Sequence, residues 1–427
     1  MILTYRIFTT ILYPFLFILL YLRKFQKKED SKRFKEKILV SNFNVKDKGK
    51  SELIWFHAAS IGEFLSIIPI IEHLNLNKKN FKFLITTTTL SSANLSKKIL
   101  KNFKNVEHRY FPFDIPFLIE NFLYLWKPDK IFLVDSEIWP NLLFKAKKFK
   151  IPIALINARL TKKSFNKWMM FPFVAKKIFS TFNLSLCSNI ETKNYLKRLN
   201  VKNVYFKGNI KFISQVGKER INNKNKKLFS KKRFWIAAST HEGEEFFCLK
   251  THLEIKKKYD DIITVIAPRH INRVEKVKSL AKKLKLKSQI LSKNDKISKD
   301  SEIIIINFFG ALKYYYTYAK SVFIGKSMIK KLKSVGGQNP IEAAKLNCKI
   351  YHGPYVYNFK EIYKILNKKK ICKKIEDHQE LSRSLIIDLK KIKKQKSEIS
   401  SKIKRIERKT LIDNMLLIKK FLYNDIK

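Results

Sequence analysis

Short apolar runs, each closing on small or polar residues, recur along the chain. Leu53-Ile54-Trp55-Phe56 runs into His57-Ala58-Ala59-Ser60-Ile61-Gly62-Glu63-Phe64. The β-branched run 82–88, the segment 108–114, Lys130-Ile131-Phe132-Leu133-Val134, Ile153-Ala154-Leu155-Ile156-Asn157, 185–188 and 203–206 repeat the theme. Mixed helical patterns separate them, so a parallel sheet with crossover helices is predicted. Pro140 cannot sit inside a helix, which makes 135–141 a loop or a helix start. After Gly208-Asn209-Ile210-Lys211-Phe212 comes a lysine-rich stretch without apolar period. The theme then restarts at Phe234-Trp235-Ile236-Ala237-Ala238, 262–267, 303–306, 321–325 and 349–351.

This pattern divides the chain. Residues 51–213 form a first α/β domain, 214–232 a linker and 233–376 a second α/β domain. Residues 377–427, with Ile403, Ile406 and Leu411 at helical spacing, form C-terminal helices, the last packing back on the first domain. The fold class is α/β, with two Rossmann-like domains facing across a cleft, the arrangement of GT-B glycosyltransferases. In such sheets ligands bind beyond the carboxyl ends of the strands. Ahead of this body, 1–22 is almost wholly apolar with Pro14 in its middle, and 23–50 is basic and polar. These read as a membrane-anchor helix, spanning or lying in the interface, followed by a tether. The basic flank places the body on the cytoplasmic side.

Composition changes little in this picture. A length of 427 residues suits two domains, and 45% hydrophobic residues suffice for packed cores. Cys187, Cys248, Cys348 and Cys372 form no C-x-x-C pair, which suggests reduced thiols rather than a zinc or redox site. The formal charge of +55 is large, but the lysines are spread along the chain and accompany abundant Asn and Ile. A coding bias explains most of it, and an attraction to acidic lipid headgroups would follow.

Candidate chemistry gathers at strand ends. Glu63 is a carboxylate at a helix start, yet Ser60-x-x-Glu63 also spells a capping box, and the local pattern alone favours capping. The same spacing at Ser239/Glu242 and Asn339/Glu342 suggests a habit of the fold. In Gly336-Gly337-Gln338-Asn339-Pro340-Ile341-Glu342, Asn339 suits the N-cap, Pro340 the first helical position and Glu342 the third, leaving N–H groups for an anion. Arg269 follows a strand and offers a fixed cation, or is one more surface charge. Lys211 carries the same ambiguity. Glu137 sits among apolar residues, where burial needs a partner. His57, His241, His270 and His352 lie near strand ends without metal-ligand spacing, and phosphate-loop, dinucleotide and hydrolase signatures are missing from the sequence.

Taken together and in order, these segments resemble the bacterial 3-deoxy-D-manno-octulosonic acid (Kdo) transferases. The resemblance rests on Trp55–Glu63, His108–Asp114, Ser136–Asn141, Asn157–Leu160, Gly208–Phe212, Ser239–Glu245, Pro268–His270, Asn339–Glu342 and Gly353-Pro354 with Asn358-Phe359. It implies inverting, metal-independent transfer of Kdo from CMP-Kdo to an acylated lipid A precursor at the inner membrane, with no cofactor and no nucleic-acid partner. By the same resemblance Glu63 is the general base, and Glu137 and Lys211 stabilise the transition state. Pro268, Arg269, Phe309, Gly310, Ala311, Asn339, Pro340, Ile341 and Glu342 bind CMP, and Ser60 and Gly62 lie on the acceptor side. Asp135, Ala311, Gln338 and Lys326 depart from the family pattern. Two other readings are a different two-domain enzyme acting on nucleotide sugars and a basic membrane- or nucleic-acid-binding protein.

Overall fold

The computed structural model describes residues 2–45, 49–76, 80–215, 225–391 and 398–423. Two compact units are present. One comprises Met1–Gln215 with Glu407–Lys427, the other Val216–Ile406.

The first unit holds seven parallel strands, β1 (Glu52–His57), β2 (Phe81–Thr87), β3 (Val106–Tyr110), β4 (Lys130–Val134), β5 (Ile153–Ala158), β6 (Leu184–Cys187) and β7 (Val204–Tyr205). Their order is β3-β2-β1-β4-β5-β6-β7. Alternate residues of a strand face opposite ways. Leu53, Trp55, Ile131 and Leu133 therefore join one core, while Ile54, Phe56, Phe132 and Val134 join another. Both faces are covered, which is why the central strands β1, β4 and β5 read as apolar runs rather than alternating.

The helix Ile399–Leu422 completes the second of these cores. Met415, Ile418, Phe421 and Leu422 pack there, with the Phe421 ring edge-on to Phe132 at 5.3 Å. Asn414 Nδ2 donates to the Lys207 carbonyl at 2.9 Å. Gly208, at φ +89°, lies so close to Thr410 that a Cβ would come 2.9 Å from its Oγ1.

At the N-terminus the single helix expected over 1–22 is two helices, Ile2–Ile11 and Tyr13–Phe25, bent by 50°. Pro14 lacks the N–H that would continue the ladder, and its ring opposes the carbonyl four residues back. No single helix among the described residues is long and apolar enough to cross a membrane, although the bent pair together has the length and composition. One face of the pair packs on the first unit. Leu20 is buried with Phe34 and Ile38, and the Tyr13 hydroxyl donates to the Ile38 carbonyl at 3.1 Å. Tyr5 Oη donates to Asp114 Oδ2 at 2.9 Å. The other face, with Leu3, Ile7, Ile11, Phe15, Ile18 and Leu22, is exposed.

The stretch 23–50 is not a free tether. Phe34, Ile38 and Phe43 are buried. Glu29 pairs with Arg23 and Lys37, and Glu36 pairs with Arg33 and accepts the Tyr110 N–H. Irregular spacing of the apolar residues and the abundance of charge concealed this packing; residues 46–48 of the stretch lie outside the described residues.

The second unit repeats the plan with β8 (Phe234–Thr240), β9 (Ile263–Pro268), β10 (Ser288–Leu291), β11 (Ile303–Ile306), β12 (Ser321–Ile324), β13 (Lys349–His352) and β14 (Cys372–Lys374). The order is β10-β11-β9-β8-β12-β13-β14, all parallel. Strands β10 and β14 had no counterpart in the apolar pattern. Both are edges, where short polar strands suffice and discourage further pairing.

Of the expected linker, 216–224 lies outside the described residues. Residues 225–232 belong to the second unit. Asn225 bridges the Asp295 carbonyl and the Ile297 N–H, and Phe229 packs 4.5 Å from Phe234. The helix His378–Asp388 also belongs to this unit, with Leu381 and Leu385 in its core and Asp388 accepting the Tyr351 and Ser321 hydroxyls.

Candidate active site

In the first sheet the strand order reverses direction between β1 and β4. Loops leaving the carboxyl ends of those strands diverge and open a crevice. The β1 loop ends at Ser60, with Gly62 and Glu63 in the first turn of the helix that follows, and the β4 loop carries Asp135 and Glu137.

Ser60 caps the helix Ile61–Asn75 in a full capping box with Glu63. Glu63 Oε2 accepts the Ala59 N–H at 2.8 Å and the Ser60 N–H at 3.3 Å, and Ser60 Oγ donates to Oε1 at 2.7 Å. The carboxylate is thus tied down at both oxygens. Burial raises its pKa above the ordinary glutamate value, and the hydrogen bond from Ser60 opposes this. The negative charges of Asp135 and Glu137 raise it further. The hydrogen bonds fix the carboxyl in place, and burial with the neighbouring charges leaves it more basic than a free one. The other two positions with the same spacing form no such box. The helix Glu244–Lys256 begins after Gly243 with no side-chain cap, and Glu242 turns outward to Arg273 and Lys276. At the third position the helix is Ile341–Lys345, one residue later than expected. Pro340 stands at the N-cap, and Asn339 Oδ1 accepts the Ile341 N–H at 3.0 Å. The Pro340 carbonyl already accepts the Ala344 N–H, which makes Glu342 the second helical residue rather than the third.

Glu137 has the partners its surroundings require. His57 Nε2 lies 3.2 Å and Trp139 Nε1 2.8 Å from Oε2. Neighbouring Asp135 adopts φ +66°, a left-handed conformation unusual for a non-glycine residue. Lys211 Nζ donates to its Oδ2 at 2.8 Å. Lys211 is presented by a chain of asparagines: Asn157 Oδ1 accepts the Ile210 N–H, and Asn209 Oδ1 accepts the Lys211 N–H. A pocket of about 200 Å³ adjoins Asp135 and Ser136, walled by Arg159, Thr161, Trp168 and Phe179. The first unit therefore assembles Glu63, Glu137 and Lys211 at one sheet end. The roles of His57 and Trp139 were missed in the sequence. A histidine closing an apolar run was the available signal, but it has no motif spacing.

In the second unit, Pro268 ends β9, and the Arg269 N–H donates to the Thr240 carbonyl at 3.0 Å. Phe309 is exposed, Gly310 sits at φ +84°, and Ala311 is buried before the helix Leu312–Tyr318. Burial raises the Glu342 pKa, and Lys313 opposes the shift. All of these follow strand carboxyl ends. A carboxylate unread in the sequence, Glu244, organises the loop after β12. It accepts N–H groups from His241, Lys326, Ser327 and Met328. Lys326 is held at φ +59°, and a Cβ on Gly325 would come 2.6 Å from the Ser239 carbonyl oxygen. Among the described residues, no three His, Cys, Asp or Glu side chains group to hold a metal ion.

Residues 32–214 match the family model described as 3-deoxy-D-manno-octulosonic-acid transferase (kdotransferase). A protein of Arabidopsis thaliana named "probable 3-deoxy-D-manno-octulosonic acid transferase, mitochondrial" is 31% identical over 325 residues, covering 74% of this chain and 71% of that one. The 3-deoxy-D-manno-octulosonic acid transferase of Rickettsia bellii is 27% identical over 424 residues, 98% of this chain and 99% of its own. Among solved structures, a glycosyltransferase of Rickettsia africae superimposes with TM-score 0.57 at 13% identity, covering 88% of this chain and 99% of that one. That likeness identifies the fold.

Proposed function

The chain belongs to the 3-deoxy-D-manno-octulosonic acid (Kdo) transferase family, and from that premise we propose that it moves Kdo from CMP-Kdo onto a hydroxyl of an acylated lipid A precursor. The observation that carries this reading is Glu63, a carboxylate locked by its own capping box and made more basic by burial. Glu63 takes the proton from the acceptor hydroxyl as that oxygen attacks the anomeric carbon of Kdo. The bond to the CMP phosphate breaks on the opposite face, so the configuration inverts. A base poised in this way contributes about 10²–10⁴-fold.

Glu137 faces the positive charge that develops at the sugar ring, and Lys211 supplies a cation for the negative charge that develops as CMP departs. On the second unit, Pro268-Arg269, Phe309-Gly310-Ala311 and Asn339–Glu342 bind the CMP moiety, with Arg269 as the cation for its phosphate. Ser60 and Gly62 lie on the acceptor side.

The N-terminal helix pair supports a membrane location for an acylated acceptor. Its outer face is apolar and exposed, Arg23 and Lys24 lie in its last turn, and Lys27 and Lys28 follow it. Because the inner face packs on the first unit, the pair lies within the cytoplasmic leaflet of the inner membrane instead of spanning it.

The test is to incubate the protein with CMP-Kdo and a tetraacylated lipid A precursor and to weigh the product. A mass gain of one or more Kdo units is expected. Glu63→Ala is expected to lose transfer while still binding CMP-Kdo. Turnover near the wild-type rate in that variant, or transfer from UDP-sugars instead, would overturn the assignment.

A further inference from the structure

We propose that His57 is a positioning residue that holds Glu137 through a one-way hydrogen-bond chain beginning at Trp55. Four contacts form the chain. Trp55 Nε1 donates to Thr86 Oγ1 at 2.9 Å, and His57 Nδ1 lies 2.9 Å from the same oxygen. On the ring's far side, His57 Nε2 lies 3.2 Å from Glu137 Oε2, which also accepts Trp139 Nε1. Trp55, His57 and Thr86 are all fully buried, so water cannot substitute for a missing partner.

The direction of the chain follows from what each group can do. An indole N–H only donates, so it occupies a lone pair of Thr86 Oγ1. The imidazole is the other partner of that hydroxyl. Were Nδ1 also a donor, the buried hydroxyl hydrogen would have no acceptor, at a cost of about 1–3 kcal/mol. The hydroxyl therefore donates to Nδ1. The Thr86 carbonyl lies 3.2 Å from Nδ1 and also takes the Ala58 N–H at 3.0 Å, but an Nδ1–H aimed at it would still leave the hydroxyl hydrogen without an acceptor. The ring proton is left on Nε2, aimed at the carboxylate of Glu137. Phe111, stacked on the ring at 4.0 Å, fixes its plane.

Strand geometry produces this arrangement. Trp55 and His57 are two apart on β1 and share a face, and His57 is paired with Thr86 of β2 and Leu133 of β4. The ring thus reaches from one neighbouring strand to the loop that leaves the other. Both donors converge on Oε2, and no hydrogen bond reaches Oε1 from a described residue. Glu137 thus has one oxygen clamped and leaves the other to the substrate. This deepens the reading of Glu137 given above and rests on it.

Thr86→Val tests the chain, since it keeps the volume and removes only the hydroxyl. Two readouts are needed, both on the full-length protein. In ¹⁵N-histidine-labelled protein, with the His57 signal identified by its loss in His57→Gln, the wild type is expected to show the neutral Nε2–H tautomer. Thr86→Val is expected to show Nδ1–H, with the ring now donating to the backbone carbonyl. In the transfer assay Thr86→Val is expected to lose about 10²-fold in kcat, with KM for CMP-Kdo changed less than about 3-fold. Thr86→Ser is expected to restore both.

A wild-type Nδ1–H tautomer overturns the proposal. A switched tautomer with unchanged kcat also overturns it. The spectrum needs no turnover, so absence of Kdo transfer by the wild type would count against the proposed function and not against the chain.

Discussion

Lys211 Nζ donates to Asp135 Oδ2 at 2.8 Å, joining the turn Ile210–Ile213 to the end of β4. The pair sets a cation among carboxylates, because Asp135 and Glu137 are both close enough to act on Glu63. Burial raises the Glu63 pKa from its ordinary 4.5, and these two charges raise it further.

The consequence is a pH dependence with a definite sign. Glu63 must be ionised to accept a proton, so kcat/KM falls as pH drops through its raised pKa. The acid limb of the profile is expected above pH 4.5. Asp135→Asn removes one negative charge and moves that limb to lower pH. Lys211→Met leaves the carboxylates without this cation and is expected to lower kcat by about 10²–10³-fold, with CMP-Kdo affinity by calorimetry within about 3-fold. An unmoved limb in Asp135→Asn would show that the base is another group.

A second pH effect concerns stability. Arg33 Nη1 lies 3.2 Å from His108 Nδ1, and Thr87 Oγ1 lies 3.0 Å from Nε2. Burial lowers the His108 pKa to about 3, and the charges of Arg33 and Arg109 add to this. Between that value and the unfolded 6.5, the unfolded chain binds the extra proton. Stability is therefore full above 6.5 and is lost as pH falls, by up to about 1.4 kcal/mol per unit. Melting temperature against pH is expected to be flatter in His108→Gln over this window. A slope equal to that of the wild type would exclude His108 as the cause.

The N-terminal helices provide a third test. Phe15, Ile18 and Leu22 are exposed on the face turned from the first unit. Changing all three to serine removes about 1.5–3 kcal/mol of apolar transfer each. Co-sedimentation with anionic vesicles is expected to fall by at least about 10²-fold, with little change in melting temperature. Undiminished binding would place the membrane contact elsewhere on the chain.

Much of the fold was legible because its signals are local. Each buried parallel strand is a continuous apolar run, since both of its faces are covered, as the split of Trp55 and Phe56 between two cores shows. Ser60-x-x-Glu63 spelled a capping box and forms one. The identically spaced Ser239/Glu242 and Asn339/Glu342 do not, because Gly243 and Pro340 start those helices later than the spacing implied. A spacing rule reports what a segment can do, and packing selects among the options. The edge strands β10 and β14 left no apolar trace, as a strand with one neighbour needs little burial.

The amino-acid sequence by itself determined the two parallel sheets, the strand ends that carry polar residues, and the ordered motifs of the Kdo transferase family. Tertiary structure alone decided which of those residues meet. Asp135 finds Lys211 across 76 positions, Glu137 finds His57 across 80, and Phe34 and Ile38 fold under Leu20. Such pairings depend on strand order and register, which bring distant loops to one end of a sheet and which no local pattern encodes.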